Sequence, residues 1–164
     1  MNMARFADGT DVPVERTRLE LEKLLVAYKA RATAIFNSEG EAAVCFEMHE
    51  RRVMFRLKMP SPRAREFTHK RVNQSSEMVA LSASVAATRY RHACQRKWRA
   101  LLLAIKAKLV SVDEGIETFE DAFMAHVVMP DGQTVAEHVR PRIASAYKEG
   151  KMQPLLPPPG KSGA

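Results

Sequence analysis

The fold is read from AAVCFEMHERRVMFRLKMP, residues 42–60. Val44, Phe46 and Met48 alternate with Cys45, Glu47 and His49. After Glu50-Arg51, Val53, Phe55, Leu57 and Met59 alternate with Met54, Arg56 and Lys58. Successive side chains of an extended chain point to opposite faces, so this stretch is a β-hairpin with one apolar face. Upstream, Thr33 to Asn37 forms a short strand joined through the turn Ser38-Glu39-Gly40, which makes the hairpin the end of a three-stranded antiparallel meander. Pro60 and Pro62 stop it, and residues 60–76 (PSPRAREFTHKRVNQSS) read as a polar loop with a strong basic excess.

Outward from the meander the period changes to that of a helix. Leu21, Leu24, Leu25 and Tyr28 recur at i, i+3, i+4, i+7, which makes 14–30 an amphipathic helix, with Pro13 in its first turn and a capping box at Thr17 and Glu20. Downstream, Tyr90, Cys94, Trp98, Leu101, Leu102, Ile105, Leu109 and Val112 share one side of a long helix over 79–111. Asp113-Glu114-Gly115 ends it. Ile116, Phe119, Phe123 and Val127 mark a shorter helix, closed by the turn Pro130-Asp131-Gly132, and Thr134 to Lys148 a last one despite Pro141. Residues 1–12 read as a loose arm, 13–152 as a single domain, and 153–164 (QPLLPPPGKSGA) as a proline-rich mobile tail. A sheet with one apolar face needs a covering layer, and the helix bearing Trp98 supplies it. The expected fold is a two-layer α+β sandwich of order α-β-β-β-α-α-α.

At 164 residues, with 46% hydrophobic and 27% charged residues, the chain has the composition of one globular domain. No apolar run is long enough for a membrane span, and the polar N-terminus does not read as a signal peptide. Cys45 and Cys94 sit in apolar surroundings and read as free thiols of a reducing cytoplasm rather than a disulfide framework.

The blocks VPVERTRLELEKLLVAYKA (12–30), AAVCFEMHERRVMFRLKMP (42–60) and KWRALLLAIKAKLVSVDEGIETFEDAFMAHVVMPDGQTVAEHVRPRI (97–143) resemble a family of small uncharacterised phage and prophage proteins. The resemblance leaves 61–96 and both ends outside it. It implies a bacterial or phage cytoplasmic setting, and it supplies no activity and no functional residues.

Catalytic patterns are weak. P-loop, GxGxxG and GxSxG signatures are absent, and HERRV at 49–53 lacks the second histidine of a zinc protease helix. Pro130-Asp131 with Glu149-Gly150-Lys151 is similar to a PD-(D/E)xK nuclease string, whose carboxylates must converge on a divalent metal. Here Asp131 falls in a turn and Glu149 at a helix end, so the string reads as coincidence, and the expectation is a non-enzymatic protein without metal or cofactor. The acidic run Asp113, Glu114, Glu117, Glu120 and Asp121 reads as helix-terminal and surface charge.

The basic residues carry more information. The formal net charge is +7. Eight cations from Arg51 to Arg71 face one acid, Glu66, and seven from Arg89 to Lys108 face none. Ten of these fifteen are arginine, whose planar fork suits phosphate. Arg52, Arg56 and Lys58 alternate onto the strand face opposite Phe55 and Leu57, while Arg89, His92, Arg96, Arg99 and Lys106 form a stripe roughly opposite Trp98. Phosphate contacts are expected at Arg52, Arg56, Lys58, Arg63, Arg65 and Arg71, extended by Arg96 and Arg99 if the helix stripe is continuous with them. Aromatic interleaving is poor: Trp98, Phe55 and Phe46 read as core, which leaves only Phe67 and Tyr90 as candidates for stacking bases, so sequence-specific readout is not indicated. Two functions fit. One is sequence-independent binding of single-stranded DNA or RNA by its backbone in phage replication or recombination. The other is a protein-binding module, such as a phage inhibitor of a host defence enzyme, docking through the basic surface or the C-terminal tail.

Overall fold

The computed structural model describes residues 11–72, 77–152 and 154–156. Most of the expected N-terminal arm, four residues of the basic loop and most of the proline-rich tail lie outside the described residues. The remainder is an α+β fold: α1 (Val14–Ala27), β1 (Ala32–Ser38), β2 (Glu41–Met48), β3 (Arg51–Lys58), α2 (Arg65–Thr68), β4 (His69–Arg71), β5 (Met78–Ala80), α3 (Ala83–Asp113), α4 (Phe119–Phe123), a 3-10 turn (Met124–His126) and α5 (Val135–Glu149).

The first three strands form the antiparallel sheet β1-β2-β3. Its register places Phe46 between Thr33 and Val53, and Val44 between Ile35 and Phe55. Ala42, Val44, Phe46, Met48, Val53 and Phe55 are all buried on that one face. Against it lie Leu21 and Leu25 of α1, Trp98, Leu102, Ile105 and Leu109 of α3, and Phe119 and Phe123 of α4. Phe123 meets Phe46 edge-on at 5.8 Å and Phe55 at 6.3 Å between ring centroids. Residues of period two therefore build one wall of the core, and residues of period 3.6 build the other.

Several boundaries differ from the sequence reading. Thr17 is no cap: it is fully buried and its amide bonds to the Pro13 carbonyl at 3.1 Å, while α1 starts at Val14 as expected and ends at Ala27, short of residue 30. The long helix starts at Ala83, after Ser82, whose hydroxyl accepts from the Val85 amide. Ile116 is 75% exposed and forms no part of an apolar face. Val127 is not helical but bridges to Val53, and the Val128 amide donates to the Arg52 carbonyl at 2.8 Å, so residues 127–128 add a short strip to the edge of β3. The expected loop 60–76 is partly ordered: α2 leads into a ribbon of β4 and β5, extended by bonds from Leu81 N to Thr68 O and from Val72 N to Glu77 O. Pro141 sits inside α5, whose start is fixed by a full capping box between Thr134 and Glu137.

Trp98 is 1% exposed at the centre of the helix–sheet contact. Trp98→Ala should cost roughly 3–5 kcal/mol of stability through lost burial and the cavity left behind. A chemical denaturation midpoint unchanged from wild type would contradict the two-layer packing.

The β2–β3 turn is also unusual, because His49 (φ 49°) and Glu50 (φ 58°) both occupy the left-handed region that a tight two-residue hairpin demands. Glu50→Gly removes one such penalty and leaves the contact of His49 with Phe119 in place, at 4.7 Å between centroids. A stabilisation of about 1 kcal/mol is expected, read as a rise in Tm. A fall in Tm would show that the turn is not strained.

Candidate nucleic-acid interface

The same alternation that buries one sheet face leaves the other facing away from α1, α3 and α4. On that outer face the register aligns four cross-strand rows: Ser38–Glu41–Lys58, Phe36–Ala43–Arg56, Ala34–Cys45–Met54 and Ala32–Glu47–Arg52. Cations thus hold three of the four outer positions of β3, small or apolar residues hold β1 and β2 in the middle rows, and the acids of these rows stand only at the two ends of β2. Arg52 Nη2 lies 3.1 Å from Glu47 Oε1. Arg56 is shared between Glu41 at 3.5 Å and Glu137 of α5 at 3.1 Å. The side chains of both arginines stay about half exposed or more, and surface pairs of this kind are worth at most about 1 kcal/mol. Burial pushes the Cys45 thiol up, and Arg56 and Arg52 pull it partly back. At the far end of β3 a groove of about 570 Å³ is lined by Arg31, Arg51 and Arg52 together with Glu47 and Glu50.

The second basic surface begins where β3 ends. Lys97 Nζ of α3 donates to the Lys58 carbonyl at 2.6 Å and ties the strand end to the helix layer. From there the chain runs through Arg63 and α2 into the β4–β5 ribbon and returns at the N-terminus of α3. This arm is pinned by Phe67, which is buried and meets Tyr90 of α3 edge-on at 5.8 Å. Phe67 is therefore a packing residue and not a free platform for bases. Arg63, Arg65, Lys70 and Arg71 are exposed, and among the described residues no carboxylate lies within ion-pair distance of any of them. From Pro60 to Arg91 the chain holds six cations against Glu66 and Glu77.

The helix stripe is held in part by α1. Arg99 Nη1 donates to Glu20 Oε2 of α1 at 2.5 Å, and His92 Nδ1 lies 3.7 Å from Asp11 Oδ1, so this flank of α3 is tied to the N-terminal helix and the residues before it. Arg96 is half buried on the same helix. Arg52, Arg56 and Lys58 leave the sheet on its opposite side. Lys58, Arg63, Arg65 and Arg71 thus follow one another from the end of β3 into the arm, whereas Arg99 is tied to Glu20 of α1 on the other flank of α3.

Phe36 is the residue the sequence reading missed. It is 60% exposed on the outer face of β1, an edge strand of the sheet, opposite Ala43 of the central strand. Ile35 and Phe36 are adjacent and both large, so alternation alone could not choose which turns inward. The pairing of Ile35 with the core residue Val44 decides it.

The nuclease-like string does not converge. Asp131 lies against His138 near the start of α5, and Glu149 is the last residue of that helix, about 16 Å of helix rise beyond His138. The Gln133 amide and then His138, whose Nε2 lies 2.8 Å away, hold the Asp131 carboxyl below its usual range, while Glu149 accepts from Ser145 Oγ. Among the described residues no three His, Cys, Asp or Glu side chains are grouped so as to hold a metal ion, and no helix is long and apolar enough to cross a membrane. Comparison with family models, with curated proteins and with solved structures finds no match for this chain.

Glu137 joins the site to the fold. Its carboxylate accepts from the Thr134 amide at 2.6 Å, and this bond, then the Thr134 hydroxyl and Arg56, holds its pKa below the ordinary value. A depressed carboxylate contributes stability above its unfolded pKa, and that stability is lost as pH falls through the folded pKa. Glu137→Gln should therefore be less stable than wild type near pH 7, with a shallower loss of stability on acidification below the unfolded value of 4.5. Parallel acid limbs for the two proteins would contradict this role.

Proposed function

We propose that this protein is a non-enzymatic, sequence-independent binder of single-stranded DNA or RNA, holding the strand by its phosphates. The observation that carries the reading is the set of unneutralised cations on the arm, Arg63, Arg65, Lys70 and Arg71, set against the paired Arg52, Arg56 and Arg99. A cation without a carboxylate partner needs no ion pair broken before it meets a phosphate, and each phosphate neutralised releases condensed counterions. The arm leaves the same end of the molecule as Lys58, so a strand held there can continue onto the outer sheet face beside Arg56 and Arg52. A place in phage replication or recombination accords with the sequence resemblance and with this chemistry.

A second reading, docking onto a protein such as a host defence enzyme, draws on the other end of the chain. Ile143, Tyr147, Met152, Leu155 and Leu156 are all exposed, and Arg142 donates to the Pro154 carbonyl, which holds the last described residues near α5.

Binding of labelled oligonucleotides over a salt series separates the two. If the arm neutralises about four phosphates of a single strand, log affinity should fall with log salt at a slope near −2.8. Reversing Arg63, Arg65 and Arg71 to Glu should weaken binding at least ten-fold and flatten the slope, with a similar loss for every oligonucleotide sequence, because phosphate contacts position a strand without reading it. Reversing Arg52 and Arg56 should cost less. An absence of binding by the wild-type protein at low salt would overturn the nucleic-acid reading and leave the protein-partner reading in its place.

A further inference from the structure

We infer that Phe36 is a base-stacking residue, and that the Phe36–Ala43–Arg56 row of the outer sheet face is where a bound single strand lays down a base. The inference rests on the nucleic-acid reading above and adds to it a contact with bases, which phosphate binding alone does not contain.

Three observations support it. First, the Phe36 ring is 60% exposed, although a phenylalanine in a strand gains by burial, and its neighbours on the face give it nothing large to lie against: Ala43 stands opposite and Ala34 precedes it on the same side of the strand. Small residues around a free ring leave space for a flat partner to approach. Secondly, the ring has phosphate-binding chemistry at the distance a nucleotide requires. Arg56 lies two strands away in the same row, about 10 Å between backbones, within the combined reach of a nucleotide and an arginine side chain. Lys58, whose ammonium has no carboxylate within ion-pair distance among the described residues, stands in the adjoining row. Thirdly, the strands themselves place no acid in the two middle rows, Glu41 and Glu47 standing in the end rows; the carboxylates near the Phe36 row, Glu41 and Glu137, lie at its Arg56 end, two strands from the ring. A sheet face that combines an exposed aromatic with flanking cations suits a single strand, because every base has a π-face and its own phosphate. Duplex DNA presents its bases edge-on in the grooves and could not stack on this ring without unpairing.

The test uses the full chain and an oligothymidylate carrying one 2-aminopurine, whose fluorescence is quenched when the base stacks. Wild-type protein should quench it on binding. Phe36→Ala should abolish the quenching and weaken binding by between about five-fold and a hundred-fold, the range for loss of one base–aromatic stack. Its salt dependence should be unchanged, because the cations remain. Phe36→Trp should restore both affinity and quenching. Since the side chain is exposed, an unchanged circular-dichroism melt for each variant verifies the fold. An oligomer of abasic sites should bind wild type and Phe36→Ala equally.

If wild type binds but Phe36→Ala binds as tightly with the same quenching, the stacking inference is wrong and the phosphate reading stands. If wild type binds no oligonucleotide, both are wrong. If sedimentation shows a wild-type dimer that Phe36→Ala dissociates, the face is an interface between copies of this chain and the stacking inference is overturned.

Discussion

A three-stranded sheet with one apolar face has to be covered, and here the longest covering element is α3, which carries the fully buried Trp98, with α1 and α4 beside it. The geometry of that match shapes much of the remaining molecule. Strands of eight residues span about 27 Å, whereas the 31 residues of α3 span about 46 Å. The helix therefore overhangs the sheet. Its C-terminal part is covered by α4, and Lys108 donates to the Ala122 carbonyl there at 2.6 Å. Its N-terminal part lies beyond the strands, and Tyr90 in that part is covered by Phe67 of the arm. The arm is thus the structural answer to a helix longer than its sheet, and its polar side carries four cations into solvent.

Alternation in the strands makes the second consequence unavoidable. Every side chain turned into the core has a neighbour turned out of it, and the outward set includes Arg52, Arg56 and Lys58 in one strand and Phe36 in another. The fold then deals differently with cations that look alike in the sequence. Those beside a carboxylate, as Arg56 is beside Glu41 and Glu137, are held in surface pairs that a phosphate must displace. Those on the arm have no carboxylate within ion-pair distance among the described residues. The distinction between solubilising charge and binding charge lies in this partnership and not in the number of basic residues.

The meander and the long helix were legible because each rests on a periodicity sustained over several turns or strand pairs, and their faces came out as expected. The arm was not legible. Its strands pair over three residues each, too short to alternate visibly, and Phe67, the buried large apolar residue among its described residues, packs against a helix position more than twenty residues away. Ion pairing was equally hidden, since Arg99 meets Glu20 across 79 residues of sequence. Thr17 with Glu20 matched the spacing of a capping box, but the core claimed Thr17 first, and the capping box of this kind stands at Thr134 and Glu137. Phe36 was hidden by Ile35 beside it. In each case the missing information was which distant residue sits opposite, which local periodicity does not encode.

The most direct measurement is a ¹H–¹⁵N spectrum of the full chain titrated with a short oligothymidylate at low ionic strength. The expected result is a set of shifted resonances confined to Arg63–Arg71, Lys58 and the outer-facing positions of β1 and β3 around Phe36 and Arg56, reversed on addition of salt. Shifts centred instead on α5 and Leu155–Leu156, or an unchanged spectrum at an excess of oligonucleotide, would contradict the claim that this end of the molecule binds a nucleic-acid strand.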